Sequence, residues 1–318
     1  MLGNTADSIF WMFRYLERAE NVSRLIETGF QLFLTSKNNI KKEWQSILKT
    51  TGSENYYYDQ NQSLDSISVI KFMLKDPSNP NNILTLLDKA RNNAKRSRVS
   101  LTTEVWEATN SCWIETSQRL KNNIYDKDIQ NILFELREKI ALIIGYLNNT
   151  MLRNEILYFC YLGTFIERFD NTARILDVRH FLFMPNTMVK NDVINETQWE
   201  AILRSLSAYR AYMWQNQNEL NAINISNFLI LDDKMPRSLK FSLDQILKNI
   251  KLIKNNKVKN SDSFNLGLSI QSKLLSRKRN YSYDFGLHNY LDKLISSNIK
   301  LGNITTSRDY TYVKDLCA

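Results

Sequence analysis

Residues 15–27 read YLERAENVSRLIE and residues 165–177 read FIERFDNTARILD, and the pattern they share decides the architecture. An aromatic, an aliphatic, Glu-Arg, an acid followed by Asn, an Arg, two aliphatics and a closing acid recur at a spacing of 150. Further out, Trp44-Gln45-Ser46-Ile47-Leu48 matches Trp199-Glu200-Ala201-Ile202-Leu203 at a spacing of 155. FMLKDPSNPNNI (72–83) then matches FLILDDKMPRSL (228–239) at 156, and Leu87-Asp88 maps onto Leu243-Asp244 with no further shift. Anchors in one order with small drift imply a tandem duplication, repeat one covering about 5–125 and repeat two about 155–290. Short-period solenoids look different, because their units are brief and numerous.

The expected architecture is all-α: a helical bundle built from two tandem repeats related by a pseudo-twofold, the halves burying equivalent faces. Residues 129–166 read as continuous helix without a Gly/Pro/Ser-rich linker, which favours one domain over 1–318 rather than two beads on a string. Only 8 Gly and 4 Pro occur in 318 residues, against averages of about 7% and 5%, so turns are few and elements long. Thr5 or Asp7 is placed to cap a first helix that runs to residue 35. Met12, Tyr15, Ala19, Val22, Ile26, Phe30 and Phe33 recur there at three- and four-residue steps as one apolar face. Further helices are expected at 40–50, 64–75, 80–121, 126–149, 151–183, 197–221, 236–255 and 263–296, with an irregular tail over 302–318.

On the first repeated helix Arg14, Glu17, Asn21 and Arg24 fall on one stripe, and Glu167, Asn171 and Arg174 repeat it. Glu20 with Arg24, and Asp170 with Arg174, add acid–base pairs four residues apart. Phe10 and Phe13 lie on the stripe's side, so that side is expected to be covered as well. Covered Glu, Asn and Arg must pair, because unpaired charge in a low dielectric is costly. These residues form a candidate polar network that either binds a ligand or partner or fixes the register between halves. A second cluster, ARNNAKRSRVSLTTEVWEATN (90–110), places Arg91, Lys95 and Arg98 on one expected basic face with Asn93 beside them, a candidate anion site. It has no clear counterpart near 247–254.

Lys and Arg total 42 against 33 Asp and Glu, a net charge of +9. That moderate excess suits an acidic partner and equally a basic-biased surface. Without a nucleic-acid-reading motif, binding of nucleic acid through 89–98 and 248–259 is disfavoured. No run of about 18 apolar residues is present, so no membrane-spanning helix is expected. Three widely spaced cysteines (Cys112, Cys160, Cys317) read as reduced thiols in a cytoplasm. Two histidines, His180 and His288, neither of them three residues after a Glu, give no metal-ligand motif. No metal and no cofactor is expected.

With LGNTADSIFWMFRYLERAENVSRLIE, ARNNAKRSRVSLTTEVWEATN, FIERFDNTARILDVR and FLILDDKMPRSLKFSL in view, the chain resembles the bacterial alpha-E family from its first residues to about 250. The resemblance implies an all-helical protein associated with a circularly permuted ATP-grasp protein, and often with a transglutaminase-like protein. ATP-grasp enzymes make amide bonds through acyl phosphates. The expected role is therefore a non-catalytic partner or substrate-presenting subunit of such a ligase. The alternative is an enzyme of peptide or amide modification that uses Glu17 or Glu167 as general base. No catalytic residue carries over from the family.

Overall fold

Helix α1 (Gly3–Thr35) contains no proline and persists for 33 residues. It begins two residues before Thr5 and four before Asp7, so neither caps it. Asp7 instead accepts a hydrogen bond from the Trp11 side chain one turn on. Met12, Ala19, Val22, Ile26 and Phe30 are buried on the expected face. Phe10 and Phe13, on the polar stripe's side, are 1% and 0% exposed. The helix is thus covered on both sides.

A computed structural model describes residues 3–35, 40–60, 63–122, 124–183, 192–216, 220–253, 262–275 and 286–304. Among them fourteen α-helices and one 3-10 turn occur and no strand. The chain divides into two compact units, Asn4–Gly163 and Thr164–Ala318 with Met1–Gly3. They are called the N-terminal and C-terminal units below.

The N-terminal unit holds α1, α2 (Ile40–Thr50), α3 (Glu54–Tyr58), α4 (Ser66–Lys75), α5 (Ile83–Arg96), α6 (Thr103–Lys121) and α7 (Asp126–Thr150). It also holds the start of α8 (Glu155–Phe183). There α4 packs on α5, α5 on α6 and α6 on α7. Trp44, Tyr57 and Phe72 anchor the α2–α4 corner at 0%, 0% and 1% exposure. Burying a side chain such as Phe72 contributes roughly 2–3 kcal/mol. The Trp44 indole donates to Ser66 Oγ at 2.8 Å, and the Tyr57 and Phe72 rings meet edge-on at 4.9 Å. A Cβ added at Gly163 would lie 2.3 Å from the Phe10 carbonyl oxygen, so the start of α8 passes α1 at backbone distance.

The C-terminal unit holds the rest of α8, α9 (Asp192–Ser205), α10 (Tyr209–Gln215), α11 (Ala222–Leu231), α12 (Leu239–Ile253), α13 (Asp262–Leu275) and α14 (Gly286–Ile304). Here α11 packs on α12, α12 on α13 and α13 on α14. Tyr212 is fully buried and meets Phe228 edge-on at 5.5 Å.

Local hydrogen bonding follows the same register in both units. After α2, Ser53 N–H reaches Leu48 O at 2.8 Å and Gly52 N–H reaches Lys49 O at 3.1 Å. After α9, Ala208 N–H reaches Leu203 O at 2.7 Å and Ser207 N–H reaches Arg204 O at 2.9 Å. Each is a Schellman closure, which needs a left-handed residue, supplied by Gly52 (φ 66°) and Ser207 (φ 52°). Asp65 caps α4 through Ser68 N–H at 3.0 Å, and Asn221 caps α11 through Ile223 N–H at 2.8 Å. Asn82 caps α5 by accepting from Thr85 N–H at 2.7 Å, as Ser238 caps α12 by accepting from Phe241 N–H at 3.0 Å.

Three expected boundaries are corrected. The single helix over 80–121 is two, parted by the 3-10 turn Arg98–Ser100 and an extended Leu101–Thr102. Ser97 follows the last residue of α5, its N–H and its hydroxyl both bonding back to Asn93 O, at 3.1 and 2.8 Å. The helix over 197–221 is broken at Leu206–Ala208 by the Ser207 turn. Gly302–Ile304, expected to be irregular, closes α14. The 276–285 part of the expected 263–296 helix, and the tail from 305, lie outside the described residues.

Candidate functional site

In the N-terminal unit the stripe runs along α1 from a half-buried Arg14 to Arg24. The Arg14 guanidinium lies 4.9 Å from the Trp11 ring centroid and 5.7 Å from that of Phe10. Glu17 and Asn21 are 4% and 3% exposed. Arg24 donates to Glu20 Oε1 through Nη2 at 2.5 Å and Nε at 3.1 Å, closing the pair within the helix.

In the C-terminal unit α8 carries a similar set of side chains. Glu167 is 4% exposed, and Arg174 Nε donates to Asp170 Oδ2 at 2.7 Å. The other Asp170 oxygen and the Asn171 amide nitrogen are buried without a hydrogen-bond partner among the described residues. Such orphaned atoms are costly and mark tight packing or a missing partner.

The candidate anion cluster does not converge. Arg91 turns to α6, where Nε donates to Asn110 Oδ1 at 2.7 Å and the guanidinium lies 4.5 Å from the Trp113 centroid. Asn93 bonds back to Lys89 O within its own helix. Lys95 is exposed on α5. Arg98, beyond the break at Ser97, sits 5.2 Å from the Trp106 centroid. The expected Arg91–Lys95–Arg98 face needed an unbroken helix, and the 3-10 turn removes Arg98 from it.

A different grouping lies on the α1-facing flank of α5. Trp11 and Tyr15 stack at 5.3 Å and 28°, and Lys89 Nζ lies 5.7 Å from the Tyr15 centroid and 3.2 Å from Pro80 O. Burial, and secondarily the charge of Arg18, holds the Lys89 ammonium below its ordinary pKa. Burial raises the Asp7 carboxyl at the far end, opposed by the Trp11 hydrogen bond and the charge of Arg96.

The profile of the family called Alpha-E, described as "a predicted alpha-helical domain with a conserved ER motif", matches residues 1–308. The chain belongs to the Alpha-E family. Neither a curated protein nor a solved structure matches it. Glu-Arg occurs twice in this Alpha-E chain, at Glu17-Arg18 and Glu167-Arg168. Both glutamates are buried, and both arginines are half-buried. Arg168 lies 5.2 Å from the Phe165 centroid, with Nη1 3.5 Å from Pro236 O.

Other groups of the Alpha-E chain serve packing. Burial pushes the Cys112 thiol up to about 12 and the Cys160 thiol well above its ordinary range. Neither is therefore a ready thiolate at neutral pH. Among the described residues no three His, Cys, Asp or Glu side chains gather as metal ligands. No described helix is long and apolar enough to cross a membrane. A groove of about 550 Å³ between α6 and α7 is lined by Glu115, Arg119, Glu135 and Lys139 among others. Its Lys139 and Glu115 already pair with each other.

Sequence reasoning missed the Trp11–Tyr15–Lys89 grouping. Its signal was present: Trp11, Tyr15 and Arg18 recur on α1 at steps of four and three.

Proposed function

We propose that this Alpha-E chain is a non-catalytic helical subunit that docks on, or presents substrate to, an ATP-grasp-type ligase forming amide or peptide bonds. The family resemblance supplies the ligase. The observation that supports the non-catalytic half is that Glu20 and Asp170 each hold an arginine four residues on along their own helix. Acid–base chemistry needs a group within reach of substrate, and these carboxylates are tied up beside Arg24 and Arg174. The described thiols are equally unsuited to attack.

The reading also takes the chain as a tandem duplication. Matching Schellman closures and helix caps at spacings of 155 and 156 support this. A duplicated scaffold whose shared features are structural leaves binding to the places where the copies differ.

Co-expression with an ATP-grasp protein of the kind that the family resemblance implies tests the proposal. The expected result is a complex that survives size-exclusion chromatography, with ATP-dependent product formed only when both chains are present. A ligase equally active alone overturns it. The competing enzymatic reading draws on the burial of Glu17 and Glu167 in their two helices. It requires Glu17→Gln with Glu167→Gln to abolish turnover while helicity by circular dichroism is kept.

A further inference from the structure

Tyr212 meets Phe228 in the C-terminal unit as Tyr57 meets Phe72 in the N-terminal unit, at spacings of 155 and 156. What lies beside the two contacts differs. Next to Phe228 a hollow of about 310 Å³ opens between α10 and α11, inside the range of about 300–1,000 Å³ in which small-ligand sites fall. Carboxamides line it, Gln215 and Asn216 from the end of α10 and Asn224 and Asn227 from α11. Asn216 donates to Tyr212 O at 3.1 Å. Among the described residues no hydrogen bond takes the side-chain amide of Gln215, Asn224 or Asn227. Asp232 stands at the C-terminal end of α11, its Oδ1 accepting from the Lys234 and Met235 N–H groups at 2.8 and 2.7 Å.

The lining offers donors and acceptors side by side and holds no cation. A carboxamide donates through its nitrogen and accepts through its oxygen. A hydroxyl also does both, so neighbouring hydroxyls and neighbouring carboxamides answer one another. An anion would face the carbonyl oxygens and the Asp232 carboxylate, and a cation would leave the amide N–H groups unanswered. A neutral ligand rich in hydroxyls satisfies both halves. Trp214, the residue before Gln215, is 82% exposed. Its indole offers a broad apolar face with a polar edge, the kind of surface on which the C–H face of a pyranose ring stacks.

The N-terminal unit does not repeat this lining. At a spacing of 156 the residues matching Asn227 and Leu231, both of which line the hollow, are Lys71 and Lys75. Lys75 reaches Leu120 O at 2.6 Å, so two cations stand where the C-terminal unit has an amide and a leucine. We propose that the hollow between α10 and α11 is a binding site for a neutral saccharide, held by Gln215, Asn224 and Asn227 with Trp214 as its stacking surface. The site belongs to the C-terminal unit. It stands or falls independently of the ligase partnership, because it rests on this lining alone.

Saturation-transfer NMR on the purified full chain, with glucose, galactose, N-acetylglucosamine, maltose and cellobiose as separate probes, tests it. Saturable transfer to at least one of these sugars is expected, with none to succinate or putrescine at the same concentrations. Asn227→Lys, which copies the N-terminal residue, weakens binding of that sugar by about tenfold or more, and Trp214→Ala does likewise. Lys71→Asn, the converse change in the other unit, leaves it unchanged. Absence of transfer to every one of the sugars, or equal transfer to succinate or putrescine, overturns the proposal. So does unchanged affinity in Asn227→Lys or Trp214→Ala with helicity kept. Should Asn227→Lys fail to fold, Gln215→Ala at the exposed end of α10 takes its place: a similar loss upholds the site and unchanged affinity removes it.

Discussion

The corner after α2 and the corner after α9 close with the same two hydrogen bonds, although one turns on Gly52 and the other on Ser207. The corners before α5 and α12 also share a cap, Asn82 in one and Ser238 in the other. Yet Lys89 stands over Tyr15 in the first, where Arg168 stands over Phe165 in the second. The difference separates two kinds of constraint. Backbone groups at a helix end must find partners whatever the side chains are, so the same turn closes on Gly or on Ser and the same cap is made by Asn or by Ser. A half-exposed cation over a ring has water as an alternative. Its identity is free to differ between the two corners.

The largest expected effect comes from the place where α1 and α8 differ most in bulk. At a spacing of 150 the partner of Gly163 is Phe13, which is fully buried. A Cβ at Gly163 meets the Phe10 carbonyl oxygen at 2.3 Å and the Arg14 nitrogen at 3.3 Å, and backbone cannot swing aside as a side-chain tip does. Gly163→Ala should cost about 3 kcal/mol, at the high end for overpacking, read as a lower urea midpoint. Gly145→Ala in α7, with nothing within 4 Å of the added carbon, should instead gain roughly 0.5–1 kcal/mol from helix propensity. Equal shifts for the two would show that the close approach is not what holds Gly163.

Next comes the left-handed residue. Gly52→Ala places a Cβ on a residue at φ 66°, with only Asn81 as near as 3.9 Å. Strain rather than collision then sets a cost of roughly 1 kcal/mol. Ser207→Gly in the matching turn removes that strain and should stabilise by about 0.5–1 kcal/mol. Opposite signs in denaturant unfolding bear out the comparison; the same sign in both would break it.

Much of this was legible in the sequence because it depends on periodicity and local chemistry. The apolar steps along 12–30 and the two Glu-Arg stretches located α1 and α8. Pro80 and Pro236 located the corners, and Glu20–Arg24 and Asp170–Arg174 could be paired by spacing alone. The break at Ser97 was passed over between two strongly helical stretches, although Ser97, Val99, Ser100, Thr102 and Thr103 form a short run of weak helix formers. Ser207 was hidden for another reason: a left-handed serine carries no glycine to announce it. The contact of Lys89 with Tyr15 escaped because it joins α1 to α5 across more than seventy residues, a tertiary fact with no local period. Arg91 misled in the opposite way, sharing a sequence cluster with Lys95 and Arg98 while its partners Asn110 and Trp113 lie on α6.

The smallest effect contrasts two caps at one register. Asp65 begins α4 and Asn221 begins α11, each accepting from backbone N–H groups of the first turn. Against the desolvation that opposes its charge, hydrogen bonds from Ser68, Ser63 and the Ile67 backbone hold the Asp65 carboxyl below its ordinary value of 3.8. A carboxyl lowered by folding contributes stability that is fully present above its unfolded pKa and lost as pH falls through the folded one. Asn221 does not titrate there. At pH 7, Asp65→Ala and Asn221→Ala should each cost about 1 kcal/mol. Below pH 4 the cost of Asp65→Ala should shrink with further acidification, because the unaltered chain loses the charge-assisted bonds that the variant already lacks. The cost of Asn221→Ala should stay level over the same range. Paired urea titrations at pH 7 and at the lowest pH where the fold persists would read both, and two costs that fell together would locate the acid sensitivity outside the cap.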